Sequence, residues 1–264
     1  MKTVLAGALA LAAGALVPYA AAEAQTRTPT PKPTIVLVHG AFADSSSWNG
    51  VISVLQHDGY AVVAAPDNLR GVRADAAVVS DVVKSIAGPV VLVGHSYGGS
   101  VISEAADGLP SVKGLVYVSA FAPDAGETAL GLTGKFPGST LAPALAPPVP
   151  IAGGGKDLYI LQARFHDQFA ADLPAAEARL MAAGQRPVAE AALSEPSTAP
   201  AWKHVPSWFV YGDADRNIPP AALRYMAERA QSRQTVVVKG GSHVVMVSHP
   251  AEVAALIERA AMAK

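Results

Sequence analysis

The feature that most constrains this chain is a series of short, continuous, β-branched apolar runs, each closed by a turn signal. Thr34-Ile35-Val36-Leu37-Val38 ends at His39-Gly40, and residues 61–65 end at Pro66. Residues 90–93, 113–118, 207–211 and 235–238 repeat the pattern. A strand that is apolar on both faces must be covered on both, which is the condition of a parallel sheet between layers of helix. Helical spacing fills the intervals. Val51, Ile52, Val54 and Leu55 precede Asp58-Gly59, and Ala77, Val78, Asp81, Val82 and Ser85 precede Gly88-Pro89. Further helices are expected to include 101–106 and to run over 219–230 and 250–262. Such alternation implies right-handed crossovers and an open, doubly wound α/β sheet of about six mostly parallel strands, with helices on both faces.

One stretch breaks the rhythm. From 123 to about 206 no strand pattern returns; Pro, Gly and Ala dominate 137–155, and helical pieces are expected at 157–170 and 174–183. A segment inserted after a strand lies over the carboxyl ends of the sheet, where open α/β folds place their sites. Leu158, Ile160, Leu161, Phe165 and Phe169 give it apolar surface to bury, so a helical cap is expected.

The chain begins with a short positive start, Met1-Lys2, then an apolar, Ala-rich stretch from Val4 to Val17, then Ala22-Glu23-Ala24. This is the form of a secretory signal peptide over 1–24, cleaved after Ala24, and it is short for a membrane span. Residues 25–33 are Pro/Thr-rich and read as a disordered leader, so the folded domain is expected over 34–262 in a secreted or periplasmic protein with no membrane span after cleavage.

Composition removes several classes of function. Lys and Arg number 20 against 21 Asp and Glu, a formal net charge of -1, which lacks the basic excess of a nucleic-acid binder. At 51% hydrophobic and 16% charged the chain is too apolar to be disordered. The absence of cysteine excludes disulfides, thiolate metal sites and a cysteine nucleophile together.

The chemistry begins at Gly94-His95-Ser96-Tyr97-Gly98, a G-x-S-x-G pattern that follows an expected strand and opens an expected helix. That is the strand–turn–helix context of a nucleophile elbow, in which glycines let a sharp turn pack against its neighbours. It leaves Ser96 near a helix N-terminus, where free N–H groups favour a developing oxyanion. A serine hydroxyl needs a base to take its proton, and the base needs an orienting carboxylate. In this fold the chain order is Ser, acid, His.

Two later strand ends supply the partners in that order. The 207–211 strand runs into Gly212-Asp213-Ala214-Asp215, and the 235–238 strand into Gly240-Gly241-Ser242-His243. Of seven histidines, His243 alone has the position required. His39 is expected to order the first turn, His95 to point away from its neighbour Ser96, and His249 to open the last helix. His57, His166 and His204 read as surface, cap or loop residues. Spacing leaves Asp213 and Asp215 both open as the acid. Paired ligands at helical spacing are lacking, so no metal is expected, and no phosphate-binding glycine motif follows a strand.

These motifs resemble the α/β-hydrolase superfamily, in particular its small branch of plant methylesterases, hydroxynitrile lyases and related bacterial serine esterases. The resemblance spans nearly all of 34–262, through Val36-Leu37-Val38-His39-Gly40-Ala41, Gly94-His95-Ser96-Tyr97-Gly98-Gly99, Asp215-Arg216-Asn217-Ile218-Pro219 and Ser242-His243-Val244-Val245-Met246. The superfamily's acid commonly stands in G-x-x-D-x-x-x-P, which Gly212, Asp215 and Pro219 match, so the resemblance favours Asp215 over Asp213. It implies an oxyanion hole from the backbone N–H groups of Ala41 and Tyr97, and places a pocket tryptophan at Trp48, where core packing is an equal alternative; Phe42 and Met246 are further expected substrate contacts. The lyases of the branch carry a lysine after the catalytic histidine and a threonine after the first-turn histidine. Val244 and Gly40 stand there, which favours ester hydrolysis over cyanohydrin cleavage.

The resulting expectation is a serine esterase with Ser96, Asp215 and His243 as its triad, acting through an acyl-enzyme on a small apolar ester. No organic cofactor, metal or nucleic-acid partner is expected. The alternatives are a binding protein on the same fold without turnover, or another reaction of the fold such as lactone opening or cyanohydrin cleavage.

Overall fold

Thr34–Val38 forms β1, and its residues 35 to 38 are completely buried, as a strand covered on both faces must be. The structure, a computed structural model, describes residues 1–3 and 32–263. The expected signal peptide and leader lie, apart from residues 1–3, 32 and 33, outside the described residues. After β1 come a 3-10 turn (Ser45–Trp48), α1 (Asn49–His57), β2 (Val62–Ala65), α2 (Val72–Lys84), β3 (Val90–His95), α3 (Tyr97–Ala105) and β4 (Val112–Val118). The insertion then supplies α4 (Ala129–Lys135), β5 (Val149–Pro150), β6 (Lys156–Leu158), α5 (Gln162–Phe169), α6 (Ala175–Gly184), β7 (Val188–Ala189) and α7 (Glu190–Ser194). Alternation resumes with β8 (Ser207–Gly212), α8 (Pro220–Arg229), β9 (Gln234–Val238), α9 (Val245–Ser248) and α10 (Pro250–Met262).

The main sheet has six strands in the order β2-β1-β3-β4-β8-β9, every pair parallel. Chain direction across the sheet reverses between β1 and β3, so the crevice at their carboxyl ends is the topological switch point. The pairing sets Val38 beside Gly94 and His95 beside Val118, which brings the turn after β1 against the turn after β3. Six strands match the sequence expectation. The helix boundaries differ modestly: α2 starts at Val72 rather than 74, and a 3-10 turn capped by Asp44, which accepts from Ser46 N at 2.8 Å, precedes α1.

The cap departs from expectation in kind. β5, β6 and β7 form a small antiparallel sheet where the sequence showed only helical pieces. Strands of two or three residues carry no readable alternation, and the pairing of Leu158 with Val188 joins segments far apart in sequence. The expected helix over 157–170 therefore begins only at Gln162. Leu158, Ile160, Phe165 and Phe169 are buried as anticipated, whereas Leu161 is 40% exposed.

Backbone bonds seat the cap on the sheet's loops. Arg186 O accepts from Phe42 N at 3.0 Å, and Leu69 O accepts from Ala189 N at 2.9 Å. The Arg70 guanidinium meets Asp157 at 2.7 Å and the Pro187 carbonyl at 3.0 Å. At the insertion's root, Arg229 forks onto Glu127 at 2.9 and 2.5 Å and bonds the Ala122 carbonyl.

Candidate active site

Ser96 joins β3 to α3 with φ +53° and ψ −121°, a conformation that L-residues rarely adopt. Its surroundings hold it there. Ser96 N donates to Val118 O at 3.2 Å, and Ser96 O accepts from Gly99 N at 3.0 Å and Phe121 N at 3.1 Å. The motif's last glycine is a packing requirement: a Cβ on Gly98 would lie 2.7 Å from the carbonyl oxygens of both Val38 and His39. Only backbone without a side chain lets the elbow press this closely against β1.

His243 lies between β9 and α9, and its Nε2 stands 2.9 Å from Ser96 Oγ. On the other edge of the ring, Nδ1 is 2.7 Å from Asp215 Oδ2. Asp215 is itself fixed, because Oδ1 accepts from Asn217 N at 2.8 Å and Ile218 N at 3.0 Å. All three side chains are nearly or fully buried. The acid left open by spacing is resolved by position: Asp213 is exposed and accepts instead from Gly240 N at 2.6 Å.

Two neighbours to which sequence reasoning gave no such role hold the main chain at Ser242 and His243. His95 does not simply point away. Its Nε2 lies 3.1 Å from His243 O, and the two rings are 4.8 Å apart. An imidazole facing a carbonyl oxygen must present N–H to it, so Nε2 carries the proton. Burial, then the adjacent His243, holds His95 well below the ordinary histidine range, so it acts as a neutral strut. Asp172, between α5 and α6, accepts from Ser242 N at 3.0 Å. An x in G-x-S-x-G and an acid in a cap loop carry no signal of either role; both contacts join segments distant in sequence.

The first-turn glycine lets the turn that bears Ala41 lie against the elbow that bears Tyr97. A Cβ on Gly40 would lie 2.6 Å from Ser96 Cβ and 3.1 Å from Tyr97 N, so the backbone leading to Ala41 runs directly along the elbow. Tyr97 opens α3, and the first N–H groups of a helix have no acceptor within it. His39 lies beneath the same turn with Nδ1 3.0 Å from Gly40 O, and burial lowers its pKa.

A cavity of about 530 Å³ opens above Ser96, floored by Ala41, Phe42, Ser96 and Tyr97 and walled mainly by Leu130, Leu141, Leu145, Leu158, Leu193 and Ile218. Of the three residues expected to contact substrate, Phe42 lines it and the other two do not. Trp48 is fully buried behind the site, its ring edge-on to His95 at 6.4 Å. Met246 is fully buried in α9. The cap contributes Phe169, which meets Phe42, His95 and His243 edge-on at 6.2, 6.3 and 5.1 Å and closes the relay from above.

The other histidines stand apart from the relay. His57 and His204 are exposed, His166 bonds the Leu173 carbonyl, and His249 caps the start of α10.

Residues 35–256 match the alpha/beta hydrolase family, and the chain belongs to it. A curated relative, an alpha/beta hydrolase of Aspergillus novofumigatus called nvfD, is 27% identical over 249 residues, which cover 87% of this chain and 96% of the relative. Among solved structures, polyneuridine aldehyde esterase superposes with a TM-score of 0.74 at 19% identity, covering 87% of this chain and 99% of its own. A pyrethroid hydrolase from Sphingobium faniae superposes with a TM-score of 0.67 at 25% identity, covering 88% and 98%. These likenesses agree with the fold and with the resemblance to plant methylesterases and bacterial esterases.

Proposed function

We propose that the chain is a serine esterase that hydrolyses small apolar carboxylic esters. The observation that carries this reading is the unbroken line Asp215–His243–Ser96, with spacings of 2.7 and 2.9 Å, ending at the floor of an apolar cavity. His243 Nε2 takes the proton of Ser96 as Oγ attacks the ester carbonyl carbon. The Ala41 and Tyr97 N–H groups receive the oxyanion as negative charge moves onto the carbonyl oxygen. The tetrahedral intermediate collapses, His243 protonates the departing alcohol, and an acyl-Ser96 remains. Water, deprotonated by the same imidazole, then releases the acid and restores Ser96. Asp215 keeps Nδ1 protonated and stabilises the imidazolium formed in each half-reaction.

Relatives bearing the names esterase and hydrolase support ester cleavage. Val244, fully buried and uncharged after His243, offers nothing to a departing cyanide. The chemistry needs no metal or organic cofactor. The signal-peptide pattern over 1–24 supports export to the periplasm or beyond.

The test is hydrolysis of a p-nitrophenyl ester series, acetate to palmitate, by the purified protein and by Ser96→Ala in parallel. Ser96-dependent turnover is expected. A folded protein inert on every member, or a variant as fast as the parent, overturns the reading.

A further inference from the structure

Behind Tyr97 lies a second pair of acids, which the relay does not use. Asp67 follows β2 and Asp75 sits in the first turn of α2; they are 0% and 1% exposed. Asp75 Oδ2 accepts from Arg70 N at 3.0 Å, Gly71 N at 3.2 Å and the Tyr97 hydroxyl at 2.9 Å. Asp67 Oδ1 accepts from Leu69 N at 3.0 Å. Asp67 Oδ2 and Asp75 Oδ1 are buried without a hydrogen-bond partner, and the consecutive amides of Leu69 and Arg70, one donating to each acid, bring the two carboxyl groups to the same turn.

Two ionised carboxylates cannot share a buried contact, and one proton between them turns two orphan acceptors into a donor and an acceptor. The remaining groups nearby do not change this. His39 is pushed towards its neutral form by burial, Arg186 is exposed, and Glu195 is paired with Arg73 at 2.7 Å. The Arg70 guanidinium is turned to Asp157 and to the Asn68 and Pro187 carbonyls. Burial, then the charge of Asp75, drives the Asp67 carboxyl well above the ordinary aspartate value, which marks it as the proton's owner. Asp75 differs in its partners, since its Oδ2 gathers three donors.

We infer that Asp67 and Asp75 share one proton, and that the pair positions the oxyanion donor by anchoring the Tyr97 hydroxyl on the Asp75 carboxylate. The positioning half rests on the esterase reading, in which the Tyr97 N–H meets the oxyanion; the shared proton stands without it. Ionising Asp67 sets two like charges in contact away from water and pulls on the anchor of Tyr97. The effect on stability has a definite sign. Folding raises the Asp67 pKa, so its contribution is fully present below the unfolded value, is lost as pH rises, and levels once folded Asp67 ionises. Asp67→Asn keeps the shape and a donor towards Asp75 but carries no titrating proton.

The experiment uses the full chain, Asp67→Asn and Tyr97→Phe. Infrared difference spectra at neutral pH are expected to contain a protonated carboxyl band in the wild type that Asp67→Asn lacks and that disappears as wild type is made alkaline. Denaturant unfolding is expected to show Asp67→Asn gaining on wild type as pH rises. On an ester, Asp67→Asn should keep kcat/KM within about threefold at neutral pH and retain kcat into the alkaline range where wild type loses it, with KM little changed. Tyr97→Phe, cut loose from the pair, should lower kcat at every pH. A wild type without the band overturns the shared proton, even if no variant folds. Superimposable alkaline limbs for wild type and Asp67→Asn overturn the positioning role. Absence of turnover in the wild type would count against the esterase reading alone, while the spectra and unfolding curves still judge the shared proton.

Discussion

His243 Nε2 and Ser96 Oγ stand 2.9 Å apart across 147 residues of sequence. The sheet order accounts for this: β3 and β8 flank β4, β9 lies beside β8, and all of them release their turns at the same edge. The relay is thus a property of strand order, with each member on the loop after its strand and the main chain of residues 242 and 243 held by Asp172 and His95.

Replacing Ser96 with Ala removes the nucleophile while leaving the elbow's backbone bonds in place. Turnover is expected to fall by about 10⁴-fold or more. The denaturation midpoint should move little, since one nearly buried hydroxyl is lost and the backbone at φ +53° is equally strained with alanine. Parallel kinetics and urea titration check both halves.

The two loop acids separate cleanly. Asp215→Asn presents either a poorer acceptor to Nδ1 or an amide that forces the wrong tautomer, so kcat should drop by about 10³- to 10⁴-fold. Asp213→Asn touches only an exposed loop bond to Gly240 and should change kcat by less than about threefold. Comparable losses in the two variants would refute the orientation role of Asp215.

Gly98→Ala probes the packing of the elbow rather than its chemistry. The added Cβ meets two backbone carbonyls at 2.7 Å, and backbone atoms of β1 and its turn cannot swing aside as a side chain would. A loss of about 1–3 kcal/mol in stability is expected, together with reduced turnover from a displaced Ser96. An unchanged urea midpoint would mean the turn has slack that the geometry does not show.

The main sheet was legible because each of its strands is a continuous apolar run long enough to read, and Ser96 and His243 because a strand–turn–helix and a fixed chain order single them out. Asp215 was separable from Asp213 only by resemblance, since both occupy the same loop and only the folded chain says which faces the ring. The small cap sheet was hidden because its strands are two or three residues long. Trp48, for which core packing was an equal alternative, and Met246 lie in the core, since a position near the site in sequence or by resemblance does not reveal which way the side chain points. His95 and Asp172 went unseen as supports for a related reason: their partners are main-chain atoms of residues 242 and 243.

The cavity's size should be readable in substrate preference. Leu193 lines its wall from α7 and is half-buried. Leu193→Trp adds bulk to that wall without touching the relay. Long-chain p-nitrophenyl esters should lose about tenfold or more in kcat/KM while the acetate changes less than about threefold. A uniform decrease across the series would indicate that the bound chain runs elsewhere.

Acid sensitivity should reside at the root of the cap. Glu127 accepts two guanidinium bonds from Arg229 and one from Asp124 N at 2.9 Å, and the Arg229 bonds above all lower its pKa below the ordinary value of 4.5. A depressed carboxylate contributes stability that is present above the unfolded-state pKa and is lost as pH falls through the folded-state pKa. Glu127→Gln keeps the shape but not the charge, and leaves Arg229 half-buried against Tyr225 and Trp202 with a weaker partner. It should cost about 1–2 kcal/mol at neutral pH. The difference from wild type should shrink as the solution is acidified below about pH 4, because protonation then does to the parent what the substitution did to the variant. Urea midpoints for both proteins between neutral pH and about pH 3 measure that convergence; a gap that stays constant would locate the acid response elsewhere.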